Sequence, residues 1–211
     1  DPNHILHSPY QHNYVPSSDT RNRIAAYIHS VVGGRKDQLI VALPRTMPRW
    51  GKLRIAQRGD SIRTFSAIRN FSRLSFRDNT FYEVPYISEL NQHVDIVCYG
   101  QLNYILKCHL DDSNCYGDLH NSTLLLALII PCATDVGLDA SSQYVEYKRS
   151  RVPIITDLHN IKAAVGRVGT RGHWGIIDHS TDHIWITFAD LELGLEANTR
   201  TDDADDASDS D

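Results

Sequence analysis

The feature that most restricts the fold is an alternation of period two. Over 101–110 the apolar residues Leu102, Tyr104, Leu106, Cys108 and Leu110 alternate with Gln101, Asn103, Lys107 and His109, interrupted only at Ile105. Successive side chains of a strand point to opposite faces, so the pattern predicts a half-buried β-strand. Further short strands are expected over 123–130, stopped by Pro131, and over 143–147, 152–157, 163–168, 173–177 and 184–188. Turn signals separate them at Asp111-Asp112-Ser113-Asn114, at 169–172 and at 178–182. Strands this short and this closely spaced, with little helix between them, favour a mainly β (α+β) fold. The expected form is a small antiparallel barrel or curled sheet rather than a doubly wound one.

Upstream the period is helical. Ser18 or Asp19 can cap a helix, Ile24, Tyr27, Ile28 and Val31 share one face, and Gly33 with Gly34 ends it. A short apolar stretch, 39–43, then runs to Pro44. Residues 1–19 are rich in His, Pro, Asn and Ser and lack a hydrophobic period. They read as a flexible tail in which His4, His7 and His12 are incidental rather than metal ligands. The expected organisation is a flexible N-terminal tail (1–19), a helix plus a basic extended segment (20–91), an antiparallel β domain (92–190) and a disordered acidic tail (191–211). A chain of 211 residues, 41% hydrophobic, is long enough for one real core. Its longest apolar run, LLLALII at 124–130, falls far short of the roughly 20 residues of a membrane span. A soluble, intracellular protein without a membrane partner is expected. The chain opens on Asp1 and its one methionine is Met47, so it reads as a piece of a longer protein.

Charge is segmental. Between Arg45 and Arg77 stand Arg45, Arg49, Lys52, Arg54, Arg58, Arg63, Arg69, Arg73 and Arg77 against a single carboxylate, Asp60. The formal net charge is nevertheless −5, because the end, TDDADDASDSD, holds six aspartates; without those six the remainder is +1. Arginine forks onto phosphate and stacks on bases, so an arginine-dominated excess suits a nucleic-acid partner such as DNA. Trp50, Phe65, Phe71 and Phe76 interleave with these charges and can stack on unpaired bases. The bland alternative pairs the arginines with carboxylates of the β domain, Glu83, Glu89, Asp95 and Asp157 among them. The acidic end is either a solvating terminus or an intramolecular competitor for the basic segment.

No motif assigns a catalytic residue, a metal or a cofactor. Cys98, Cys108, Cys115 and Cys132 lack C-x-x-C spacing and read as reduced core thiols, the alternative being a zinc set of Cys108, His109, Cys115 and His120. Asp178-His179-Ser180-Thr181-Asp182-His183 contains triad residue types but reads as a hairpin turn. A hydrolase or metal nuclease built on Asp178, His179 and His183, with Asp95, Asp111 and Asp157 as further carboxylates, is the least favoured reading. Gly59-Asp60 lacks the spacing of a phosphate loop and reads as a tight turn, and the Arg58–Asp60 tripeptide is not taken as an adhesion motif. A protein-interaction module, similar in architecture to bromo-adjacent-homology barrels, is the runner-up, with Tyr99, Tyr104, Tyr144 and Trp174 lining a peptide surface.

Four stretches, RWGKLRIAQRGDSIRT, SFRDNTFYEV, VCYGQLNYILKCHL and VGRVGTRGHWGIIDHS, resemble successive blocks of uncharacterised basidiomycete transposase-like proteins of the Kyakuja and Plavaka kind. The "YG" followed by an alternating strand also resembles the small β domain that follows the transposase region in plant CACTA-type elements. The resemblance covers about residues 20–190. It matches Trp50, Gly51, Lys52, Arg54, Gly59, Asp60, Ile62 and Arg63, then Arg77 and Asp78, Tyr99 and Gly100, and Gly166, Arg167, Trp174, Ile177 and Asp178. Arg58 stands where the pattern has a second glycine and His179 where an arginine is common. What the resemblance implies is a non-catalytic accessory domain, with the acidic catalytic residues upstream, DNA or a chromatin or transposase protein as partner, and a nuclear location.

Overall fold

The computed structural model describes residues 2–56, 59–68, 79–87, 93–134, 144–170 and 172–177. The expected strand at 184–188, the acidic end and the 178–183 turn lie outside them. The chain folds as a mainly β protein with antiparallel pairing throughout and helices near its start.

The first strand, β1 (His4–Tyr14), is a correction to the flexible tail expected over 1–19. Only His4, Leu6 and Tyr14 are half-buried, and the rest of the strand is exposed. Backbone pairing with the next strand, rather than apolar burial, holds this edge, which is why no hydrophobic alternation announces it.

Helix α1 (Ser18–Val32) starts one residue earlier than expected. Ser17 is the cap, its hydroxyl accepting from the Thr20 N–H at 3.2 Å. At the other end Gly33, with φ 73°, donates its N–H to the His29 carbonyl. Ile24, Ala25 and Ile28 are buried, while Val31, expected on the apolar face, is exposed. The apolar stretch 39–43 lies mostly in a second helix, α2 (Lys36–Ala42). Arg21 on α1 donates to the carbonyls of Ile40, Leu43 and Pro44 at 2.8, 2.9 and 2.6 Å. Carbonyls at a helix end lack intrahelical partners, so this cation both satisfies them and opposes the helix dipole.

The basic segment begins as β2 (Met47–Ile55) and returns as β3 (Ser61–Arg63) before a single turn, α3 (Phe65–Ile68). Gly59 (φ 72°) forms the turn between β2 and β3, and Ile55 donates its N–H to the Asp60 carbonyl at 2.8 Å, as the tight-turn reading expects. Then come β4 (Asn79–Ile87) and β5 (His93–His109), whose second half is the alternating stretch. β6 (Thr123–Pro131), β7 (Tyr144–Tyr147), β8 (Ile154–Asp157), β9 (Ile161–Thr170) and β10 (His173–Ile177) complete the described strands. A 3₁₀ segment, Asn114–Leu119, intervenes between β5 and β6 where a simple turn was expected.

The pairing runs β1-β2-β5-β4-β9-β10-β7, with β3 on β2, β6 on β5 and β8 on β6. β5 organises it. One edge pairs with β6 along Gly100–His109, and the other with β4 over His93–Gln101 and with β2 at Leu106 and Ile105. The basic segment therefore belongs to the same sheet as the β-rich part. In β6, consecutive residues serve opposite faces: Leu126 and Leu128 join a core that includes α1 and α2, Ala127 and Ile129 a second core with Leu53, Ile62 and Leu102. A strand buried on both sides reads as a continuous apolar run, which is the physical origin of LLLALII. A third cluster gathers Tyr99, Cys132, Val145, Tyr147, Ala163, Val165 and Ile176.

Candidate nucleic-acid interface

From Gly51 to Ile55 burial alternates: Gly51, Leu53 and Ile55 are inside, Lys52 half-exposed and Arg54 exposed. Leu53 lies opposite Ile62, so the β2–β3 hairpin buries an apolar pair and turns its cations the other way. Lys52 lies opposite Arg63 on one side and opposite His7 on the other. Residues directly opposite in antiparallel strands share a face, so His7, Lys52 and Arg63 form one row across three strands. Arg54, flanked by Ile5 and Ser61, forms the next row on that face.

Among the described residues no carboxylate is paired with Lys52, Arg54 or Arg63. The ion-pair alternative fails at Asp157, the one of its named partners whose side chain is described. Asp157 accepts from the backbone N–H of His159 at 2.8 Å and lies 2.6 Å from its Nδ1. Asp60, within the basic segment, accepts from the Ala164 N–H at 3.1 Å. Glu83, Glu89 and Asp95 lie outside the described side chains.

The other cations divide. Arg45 is exposed. Arg49 sits with its guanidinium 4.4 Å from the Tyr14 ring centre and 5.9 Å from that of Tyr104, a cation–π contact that makes it part of the scaffold. Arg58, Arg69, Arg73 and Arg77 lie outside the described residues.

Beside the row is a cleft of about 480 Å³ lined by Pro9, Tyr10, Arg49, Trp50, Ser66 and Ala67, among others. Gly51 lets it form: a Cβ there would stand 2.5 Å from Pro9 Cγ and 3.0 Å from Ala67 Cβ. His7 and Tyr10 carried no signal in sequence, because only pairing with β2 brings them to the site.

Of the four aromatics read as a peptide surface, two belong to the core. Tyr99 and Tyr104 are buried, in different core clusters, and Tyr104 shares a 2.8 Å hydrogen bond with the Thr20 hydroxyl. Burial pushes the Tyr104 phenol up to about 12. Trp174 is half-buried with the Arg167 guanidinium 4.3 Å from its ring centre, and the Tyr144 side chain lies outside the described part. Nor does the alternative zinc set converge. Cys108 is buried while His109, the next residue on β5, is exposed on the opposite face. Among the described residues no group of three or more His, Cys, Asp or Glu is placed to hold a metal, and no helix is long and apolar enough to cross a membrane. Asp178, His179 and His183 lie outside the described residues.

Comparison with family models, with curated proteins and with solved structures finds no match.

Proposed function

We propose that this chain is a non-catalytic, β-rich nucleic-acid-binding unit that holds a phosphate backbone on the outer face of β1, β2 and β3. The observation that carries the reading is the row His7, Lys52 and Arg63, with Arg54 beside it, set on the paired strands β1, β2 and β3 and without carboxylate partners among the described residues. Unpaired cations held in register neutralise phosphates and release counterions, a term independent of sequence and steep in salt. We read the scaffold as a curled sheet, because β5 carries β2 and β4 on one edge and β6 on the other. The resemblance of the stretches around Trp50–Arg63 and Gly166–Asp178 to transposase-like proteins supports a role as the accessory domain of such a protein, with DNA as the partner and a nuclear location.

The test is binding of duplex and single-stranded DNA over a salt series. Replacing Lys52 and Arg63 by alanine together lowers affinity for all sequences alike and flattens the salt slope by about 1 per residue removed. Undetectable binding by the unaltered chain at about 50 mM salt overturns the reading.

A further inference from the structure

The cleft adjoining the basic row lies within the roughly 300–1,000 Å³ range of ligand sites, at about 480 Å³. Its wall carries an aromatic pair. The Tyr10 and Trp50 rings lie 4.3 Å apart between centres and are tilted by 38°. Tyr10, on the bulged part of β1, is 45% exposed, and its hydroxyl is 2.8 Å from Nδ1 of His12. The Trp50 indole N–H is buried with no acceptor among the described residues. Trp50 precedes Lys52 by two residues, about 7 Å along the strand, and Ser66 and Ala67, also in the lining, follow Arg63 closely in the chain. An exposed ring thus lines a cleft whose Gly51 directly precedes Lys52 of the cation row. That combination suits a planar base attached to a phosphate chain.

We infer that this cleft is a base-stacking site that selects single-stranded nucleic acid, an inference that rests on the phosphate-binding role of the row. The two rings already touch, so the base stacks on the exposed part of Tyr10 rather than between them. A base inside a duplex cannot reach the cleft without leaving its stack, so the cleft favours unpaired strands.

The experiment compares three oligomers of equal length on the intact chain: oligo(dT), oligo(U) and a fully abasic deoxy strand. All three carry the same phosphates, so the row alone binds them equally. Stacking contributes roughly 1–3 kcal/mol per base, so a base-bearing strand is expected to bind about 5–150-fold tighter than the abasic one. Tighter binding of oligo(dT) than of the abasic strand supports the site, and the oligo(U) arm shows whether a ribose strand is held as well. Tyr10→Ala removes the preference, and Tyr10→Phe, which keeps the ring, retains it. Equal binding of base-bearing and abasic strands by the unaltered chain overturns the cleft and leaves the basic row standing; so does a Tyr10→Ala chain that keeps the preference. Failure of all three to bind at about 50 mM salt overturns the row and the cleft together.

Discussion

The carboxylate of Asp60 accepts a hydrogen bond from the backbone N–H of Ala164 at 3.1 Å, across 104 residues of sequence. Asp60 is the one acid of the basic segment, and it ties the β2–β3 turn to β9 instead of neutralising a neighbouring arginine. Removing the acceptor leaves the Ala164 N–H unsatisfied in a half-buried setting. Asp60→Ala should therefore cost about 1–2 kcal/mol, and Asp60→Asn, which keeps an acceptor oxygen, less. Urea unfolding checks this: the midpoint falls while the slope is unchanged.

Gly51 is required for space rather than for backbone freedom. A methyl group there would meet Pro9 Cγ and Cδ at 2.5 and 2.6 Å, so the bulge of β1 or α3 must shift. Gly51→Ala is expected to destabilise by about 1–3 kcal/mol, the range of overpacked sites. It should also displace Tyr10 from Trp50, seen as a change in near-ultraviolet circular dichroism. An unchanged melting temperature would show that Pro9 yields freely.

His4 gives a pH dependence whose sign follows from its surroundings. Burial lowers its value below the usual 6.5, the hydrogen bond to the Ile161 carbonyl (3.0 Å) opposes this, and nearby His159 and Lys162 add to the lowering. The folded state thus prefers the neutral ring. Its contribution is present in full above the unfolded value of about 6.5 and is lost as pH falls through the lower folded value. Denaturation at about pH 7.5 and about pH 5 should show a smaller acid loss for His4→Gln than for the unaltered chain. Identical losses would remove His4 from the account.

The thiols should divide by burial. Cys108 is pushed up to about 12 and Cys132 to about 11, burial being the main cause in each, and the buried side chains hold little thiolate near neutrality. Cys115 is only half-buried. Alkylation at about pH 8 followed by mass mapping should label Cys115 early, and Cys108 and Cys132 only at the rate of unfolding. Early labelling of Cys108 would mean that the helix-covered core opens locally.

By itself the sequence determined the β character and most strand positions. The reason is local: period two over 101–110, the two-faced run at 124–130, and the turn at Gly59-Asp60 are properties of neighbouring residues. The helix at Ser18–Val32 was legible for the same reason. β1 was not, because an edge strand held by backbone hydrogen bonds needs no apolar pattern. The candidate site divides in the same way. A cationic excess around Lys52, Arg54 and Arg63 can be counted in the chain, but whether those cations face one another or a carboxylate depends on strand pairing. Pairing across 45 residues places His7 opposite Lys52, and burial turns Tyr99 and Tyr104 from a surface into core. Long-range register decides which side of the sheet each residue occupies, and with it whether an arginine like Arg49 packs on a tyrosine or, like Arg63, stands on the open face.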